Sequence, residues 1–143
     1  MKISEVMTPD VEVIRPDDTL RTAAQMMADI DAGVLPVCDG ERLVGMVTDR
    51  DITVRAVAAG CDPEQTPISD VMSDELRYCS EDDETEGVSR KMAEWHVRRL
   101  PVLDRDKRLV GIVSLGDLAI GGAEDESREA LKEISGAPSS EKA

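Results

Sequence analysis

Ile3-Ser4-Glu5-Val6-Met7-Thr8 returns further along the chain as Ile68-Ser69-Asp70-Val71-Met72-Ser73. Leu43-Val44-Gly45-Met46-Val47-Thr48-Asp49-Arg50-Asp51 returns as Leu109-Val110-Gly111-Ile112-Val113-Ser114-Leu115-Gly116-Asp117. Between these matches, Leu35-Pro36-Val37 returns as Leu100-Pro101-Val102. The offset is 65 up to the second hairpin and 66 beyond it, so the second copy carries one extra loop residue. A period this long in only two copies argues against a solenoid, which needs three or more stacked units. It predicts two related halves, residues 1–60 and 68–120, joined by a Gly- and Pro-bearing linker over 61–67.

Each copy reads as strand, helix, strand, strand, helix. Val11-Glu12-Val13-Ile14 is a β-branched run between Pro9 and Pro16, hence a strand. Asp18 is placed to cap a helix over about 19–31, whose inward positions are Leu20, Ala23, Ala24, Met27 and Ile30. Gly33 is expected to end it. Strands at 34–38 and 43–47 flank an Asp39-Gly40 turn, and a helix over 49–59 stops at Gly60. The second copy gives a strand over 76–79, a helix over 84–96, strands over 99–103 and 109–113, and a helix from 115. The fold class is α+β: two β-α-β-β-α repeats packed about a pseudo-twofold axis, each repeat too small to be stable alone. Residues 121–143 read as an acidic, partly disordered tail with a short helix over about 124–134.

Composition narrows the function classes. The 31 acidic residues against 17 basic ones give a net charge of −14, which speaks against binding nucleic acid. The aromatic residues are Trp95 and Tyr78, too few to stack single-stranded bases. No apolar run is of membrane-span length, and Met1-Lys2-Ile3-Ser4-Glu5 has no signal-peptide character. Cys38, Cys61 and Cys79 are spaced neither as a metal pair nor as a disulfide framework, and His96 is the single histidine. No metal site and a reducing cytoplasmic location are expected.

The hydroxyl and carboxylate of Thr48–Asp51 and Ser114–Asp117 stand three apart at a strand-to-helix junction. This spacing has two readings. One is a capping box, in which hydroxyl and carboxylate satisfy backbone amides reciprocally. The other is a ribonucleotide grip, with the carboxylate accepting from ribose hydroxyls and the hydroxyl and free amides binding phosphate. Spacing alone favours the cap, and a ligand can use the same groups. No GxxxxGK[ST] loop, nucleophile–base pair or other catalytic constellation is visible, so the chain does not read as an enzyme.

Taken together, the doubled Ile-Ser-x-Val-Met-Thr/Ser, Leu-Pro-Val and Leu-Val-Gly-x-Val-Thr/Ser-x-x-Asp motifs resemble a tandem cystathionine-β-synthase (CBS) domain pair, or Bateman module, over residues 1–120. The resemblance is to the small stand-alone CBS-pair proteins. It implies a regulatory module that binds an adenosyl ligand (AMP, ADP, ATP or S-adenosylmethionine) between the repeats and requires no cofactor. By the same resemblance Asp51 and Asp117 hold ribose, and Thr48 and Ser114 hold ribose or phosphate. The base lies near Met7, Thr8, Pro9 and Val11 in one site and near Met72, Ser73 and Leu76 in the other. Arg98 and Arg99 are the phosphate candidates, because a guanidinium fork donates paired hydrogen bonds; outside the motif they read as a solvated pair. The first copy has Gly33-Val34 at those positions, with Arg50 as a substitute cation, so the sites are expected to be unequal. The resemblance further implies a homodimer joined through helices 49–59 and 115–121, and an unidentified regulated protein. The reading from another class is a structural or interaction protein whose ligand sites are vestigial.

Overall fold

The computed structural model describes residues 1–120 and Ile134. In chain order its elements are β1 (Thr8–Pro9), α1 (Leu20–Ile30), β2 (Val34–Asp39), β3 (Arg42–Thr48), α2 (Asp49–Asp51), β4 (Cys79–Ser80), α3 (Thr85–Trp95), β5 (Arg99–Leu103), β6 (Leu109–Ser114) and α4 (Leu115–Ile120). α2 runs on into a π-helical stretch, Ile52–Val57. The architecture is α+β, as the sequence predicts. The expected tail helix over about 124–134 lies outside the described residues, apart from Ile134, which is buried.

The chain forms two compact units, and neither is a contiguous half of the sequence. One joins Met1–Val11 to the described residues from Arg77 onward; the other is Glu12–Leu76. In the first unit a four-stranded sheet has the order β1-β6-β5-β4. β1 lies antiparallel to β6, with Thr8 opposite Ile112 and Pro9 opposite Gly111. Ile3, Val88, Met92, Leu100, Val113 and Leu118 form the centre of its core. In the second unit the β2–β3 hairpin is crossed by the segment after the linker: Met46 N donates to Ser73 O at 2.9 Å, and Ser73 N donates to Met46 O at 2.8 Å. Ile14, Leu20, Leu35, Val37, Val47 and Ile68 centre that core.

Several local expectations need correction. The strand over 11–14 is reduced to one parallel bridge between Ile14 and Val37, and the run is divided between the two units after Val11. The strand over 76–79 is displaced to Cys79–Ser80. α1 is capped by Thr19, whose hydroxyl accepts from Thr22 N at 3.3 Å. Asp18 instead closes the preceding turn, accepting from Arg15 N at 2.9 Å, and Asp83 does the same for Ser80 N. Helix α1 ends at Asp31, not Gly33: Asp31 takes φ 54, and Ala32 N donates back to Met27 O. His96 ends α3 in the same way, with φ 54 and Val97 N donating to Met92 O. Of the predicted inward positions of α1, Leu20, Ala23 and Met27 are buried, whereas Ala24 and Ile30 are exposed. The helix expected over 49–59 widens after one α-turn. Thr53 Oγ1 donates to Asp49 O at 3.0 Å, and Ala58 N reaches Thr53 O and Cys61 N reaches Ala56 O across five residues. The β-branched run Ile52-Thr53-Val54 and a hydroxyl competing for the carbonyl both weaken the tighter α ladder.

Candidate functional site

Both hydroxyl–carboxylate pairs are closed capping boxes. Asp51 N donates to Thr48 Oγ1 at 3.0 Å, and Thr48 N donates to Asp51 Oδ2 at 2.9 Å. Asp117 N donates to Ser114 Oγ at 3.1 Å, and Ser114 N donates to Asp117 Oδ2 at 2.9 Å. Each box therefore occupies one carboxylate oxygen and leaves Oδ1 outside it. Asp51 Oδ1 lies 3.8 Å from Arg55 Nε, and the Asp51 side chain is 17% exposed. A half-sheltered carboxylate with a fixed orientation and a spare oxygen is a suitable acceptor for a diol.

The fold decides which segments stand beside each box. β6 ends in Ser114, and its other neighbour is β1, so Met7, Thr8 and Pro9 belong with Ser114 and Asp117. β3 ends in Thr48, and Ser73 bonds to Met46, so Met72 and Ser73 belong with Thr48 and Asp51. The motif of the first copy thus serves the box of the second, and the reverse. Two glycines make room for this crossing. A Cβ on Gly111 would come within 2.7 Å of Thr8 O and 2.8 Å of Met7 Sδ. A Cβ on Gly45 would come within 2.7 Å of Ser73 O and 2.9 Å of Met72 Sδ. Val11 ends one of the crossing segments and is half-buried; Leu76 ends the other and is exposed.

The basic candidates sit in the unit that holds Asp117. Arg99 is the strand partner of Ser114, Arg98 O accepts from Leu115 N at 3.0 Å, and both side chains are exposed. In the other unit the matching contact is Asp49 N to Gly33 O at 2.9 Å, and Val34 pairs with Thr48. Sequence reasoning missed Asp49. Its carboxylate lies over Gly33, where a Cβ would meet Oδ2 at 3.2 Å, and its Oδ1 accepts from Arg50 N at 2.8 Å. The signal was there in the alignment of Gly33 with Arg98 and of Asp49 with Leu115. Arg77, stacked 5.5 Å from the centroid of Trp95 and donating to Trp95 O, was also not foreseen.

The cysteines offer no nucleophile on a sheet. Burial, helped by the nearby Asp83 carboxylate, pushes the Cys79 thiol up to about 12, and burial also raises Cys38. Among the described residues no group of three His, Cys, Asp or Glu side chains is arranged to hold a metal ion. No described helix is long and apolar enough to cross a membrane.

Comparison with known proteins agrees with this geometry. The CBS-domain family model matches residues 3–57 and again 68–121, and the chain belongs to that family as a tandem pair. It is similar to the CBS domain-containing protein YhcV of Bacillus subtilis (strain 168), 42% identical over 134 residues, which are 93% of this chain and 94% of that protein. Among solved structures it is similar to Hypoxic Response Protein I, which holds two coordinated zinc ions; identity is 36%, the TM-score is 0.77, and 84% of this chain and 98% of that chain are covered. It shares its fold with CBSX2, solved in complex with AMP, at 24% identity and a TM-score of 0.73, covering 87% of this chain and 98% of that one.

Proposed function

We propose that this chain is a non-catalytic regulatory module that binds an adenosyl ligand through its two hydroxyl–carboxylate boxes. The observation that carries the reading is the spare, half-sheltered Oδ1 left by each box, on a carboxylate whose other oxygen is pinned at 2.9 Å by backbone N–H. A ribose diol donates two hydrogen bonds, and a charged acceptor makes each stronger than a neutral one. The segments around the exposed Thr8 and the half-buried Ser73 stand beside the strands that end in the boxes and flank the place a base would take, and the exposed Arg98 and Arg99 offer guanidinium groups for phosphate. The AMP complex of CBSX2, a chain of the same fold, supports this choice of ligand class. Binding shifts the conformation of the pair, or of a regulated partner, only by the ligand's differential affinity for the two states.

Self-association through the helices that follow the boxes completes the proposal. Val54 and Val57, 50% and 67% exposed, leave an apolar face on the stretch that follows Asp51, and in the other unit Ile120, 88% exposed, ends α4.

Calorimetric titration with AMP, ATP and S-adenosylmethionine tests the ligand reading. At least one should bind, and Asp51→Ala and Asp117→Ala should each remove one site or weaken it at least about tenfold. Absence of heat for all three at millimolar concentration would remove the ligand-binding role.

A further inference from the structure

The two boxes share one hydrogen-bond pattern, yet the charge beside them is reversed. In the unit with Asp117, the residue after the strand is Leu115, whose side chain is buried in the core, and Arg98 occupies the facing position. In the unit with Asp51, the corresponding residue is Asp49, which stays exposed, and the facing position is Gly33. Gly33 has no side chain, and the Asp49 carboxylate lies over its Cα. Where one copy carries an arginine side chain on the position facing the residue after the strand, the other carries a carboxylate lying over a bare glycine. The surrounding cations do not cancel this. Arg55 donates to Val71 O, and its charge is balanced by Asp51, whose Oδ1 lies 3.8 Å from Nε and accepts no hydrogen bond from it. The side chain of Arg50, the remaining candidate, is exposed and forms no ion pair with Asp49 among the described residues, whereas Arg99 stands opposite Ser114 and Arg98 precedes it beside Leu115.

We infer that the two sites take different classes of adenosyl ligand: the Asp117 site takes a nucleoside phosphate, and the Asp51 site takes an adenosyl group without phosphate, with Asp49 as the specificity-determining residue. This rests on the adenosyl-binding reading above and adds a charge filter to it. The carboxylate of Asp49 repels a 5′-phosphate but not a neutral nucleoside or a sulfonium. One unit charge several ångström from a phosphate, in a half-exposed site, is worth about a tenfold change in affinity.

The test uses adenosine and AMP as paired probes, titrated calorimetrically into the full chain with one site silenced at a time. With Asp117→Ala, the remaining site should bind adenosine about tenfold more tightly than AMP. Adding Asp49→Asn, which keeps an acceptor for Arg50 N, should strengthen AMP about tenfold and leave adenosine unchanged. With Asp51→Ala, AMP should be preferred over adenosine, and Arg98→Gly with Arg99→Val should abolish that preference. This second arm does not depend on how well the Asp117→Ala chain folds. Preference for AMP in the Asp117→Ala chain, or an Asp49→Asn effect equal for both probes, would overturn the charge filter while leaving adenosyl binding in place. Failure of adenosine and AMP alike to bind the unaltered chain would overturn both.

Discussion

Replacing Gly45 with alanine adds one methyl group and should be among the most damaging small changes available to this chain. The new Cβ would stand 2.7 Å from Ser73 O and 2.9 Å from Met72 Sδ. The sulfur ends a flexible side chain and can swing away. The carbonyl cannot, because Ser73 is held on both sides by Met46, at 2.8 and 2.9 Å. The segment must therefore lift off β3. Two backbone hydrogen bonds are lost, about 0.5–1.5 kcal/mol each. Uncovering the half-buried Met72 adds about 1 kcal/mol. The expected loss of stability is about 2–4 kcal/mol, of the order of a small-to-large substitution in a packed core. Urea unfolding should show it as a lower midpoint with an unchanged slope. Amide exchange at Met46 and Ser73 should accelerate, and if the Asp51 site binds adenosine as proposed, that affinity should fall with the displaced segment. A midpoint change worth less than about 0.5 kcal/mol, with Ser73 still protected, would show that the segment does not rest on Gly45 as described.

The same substitution at Gly87 should have the opposite sign: a Cβ there meets no heavy atom within 4 Å, so Gly87→Ala should stabilise the chain by about 0.5–1 kcal/mol, read as a higher urea midpoint, by reducing the entropy of the unfolded chain. A thiol reagent applied to the native protein at mildly alkaline pH should modify the half-buried Cys61 quickly and leave Cys38 and Cys79 intact until the protein unfolds. Because burial raises the folded value of Cys79 from 9.0 to about 12, its contribution to stability is complete below the lower value and is lost as pH rises through the higher one; denaturation midpoints measured across that window should fall for the native protein and less for Cys79→Ala. If the face bearing Val54 and Val57 joins two copies, Val57→Asp should weaken self-association about a hundredfold in sedimentation, by burying unpaired charge; an unaltered chain that sediments as a monomer at high concentration would refute the interface.

Much of the molecule follows from local spacing. The three-and-four pattern places Leu20, Ala23 and Met27 inside, the Asp39-Gly40 pair closes the β2–β3 hairpin with Gly40 at φ 64, and Thr48 with Asp51 and Ser114 with Asp117 form boxes three residues apart. Those features are set within a few residues of one another, so periodicity, turn chemistry and capping suffice to read them. The duplicated motifs also show that two units exist and that the pairs recur in both.

Other choices are made by groups distant in the chain. Thr19 prevails over Asp18 as the cap because the Asp18 carboxylate is taken by Arg15 N. Nothing in the order of residues says that Met7–Pro9 will join the sheet of Ser114 while Met72–Ser73 crosses the hairpin of Thr48. That exchange is settled by backbone carbonyls seated on Gly111 and Gly45, contacts between residues more than 25 positions apart. The charge beside each box is likewise a tertiary outcome. Leu115 turns into a core, whereas Asp49, at the matching place, stays in solvent because its charge cannot follow, and the missing side chain of Gly33 gives it a place to lie.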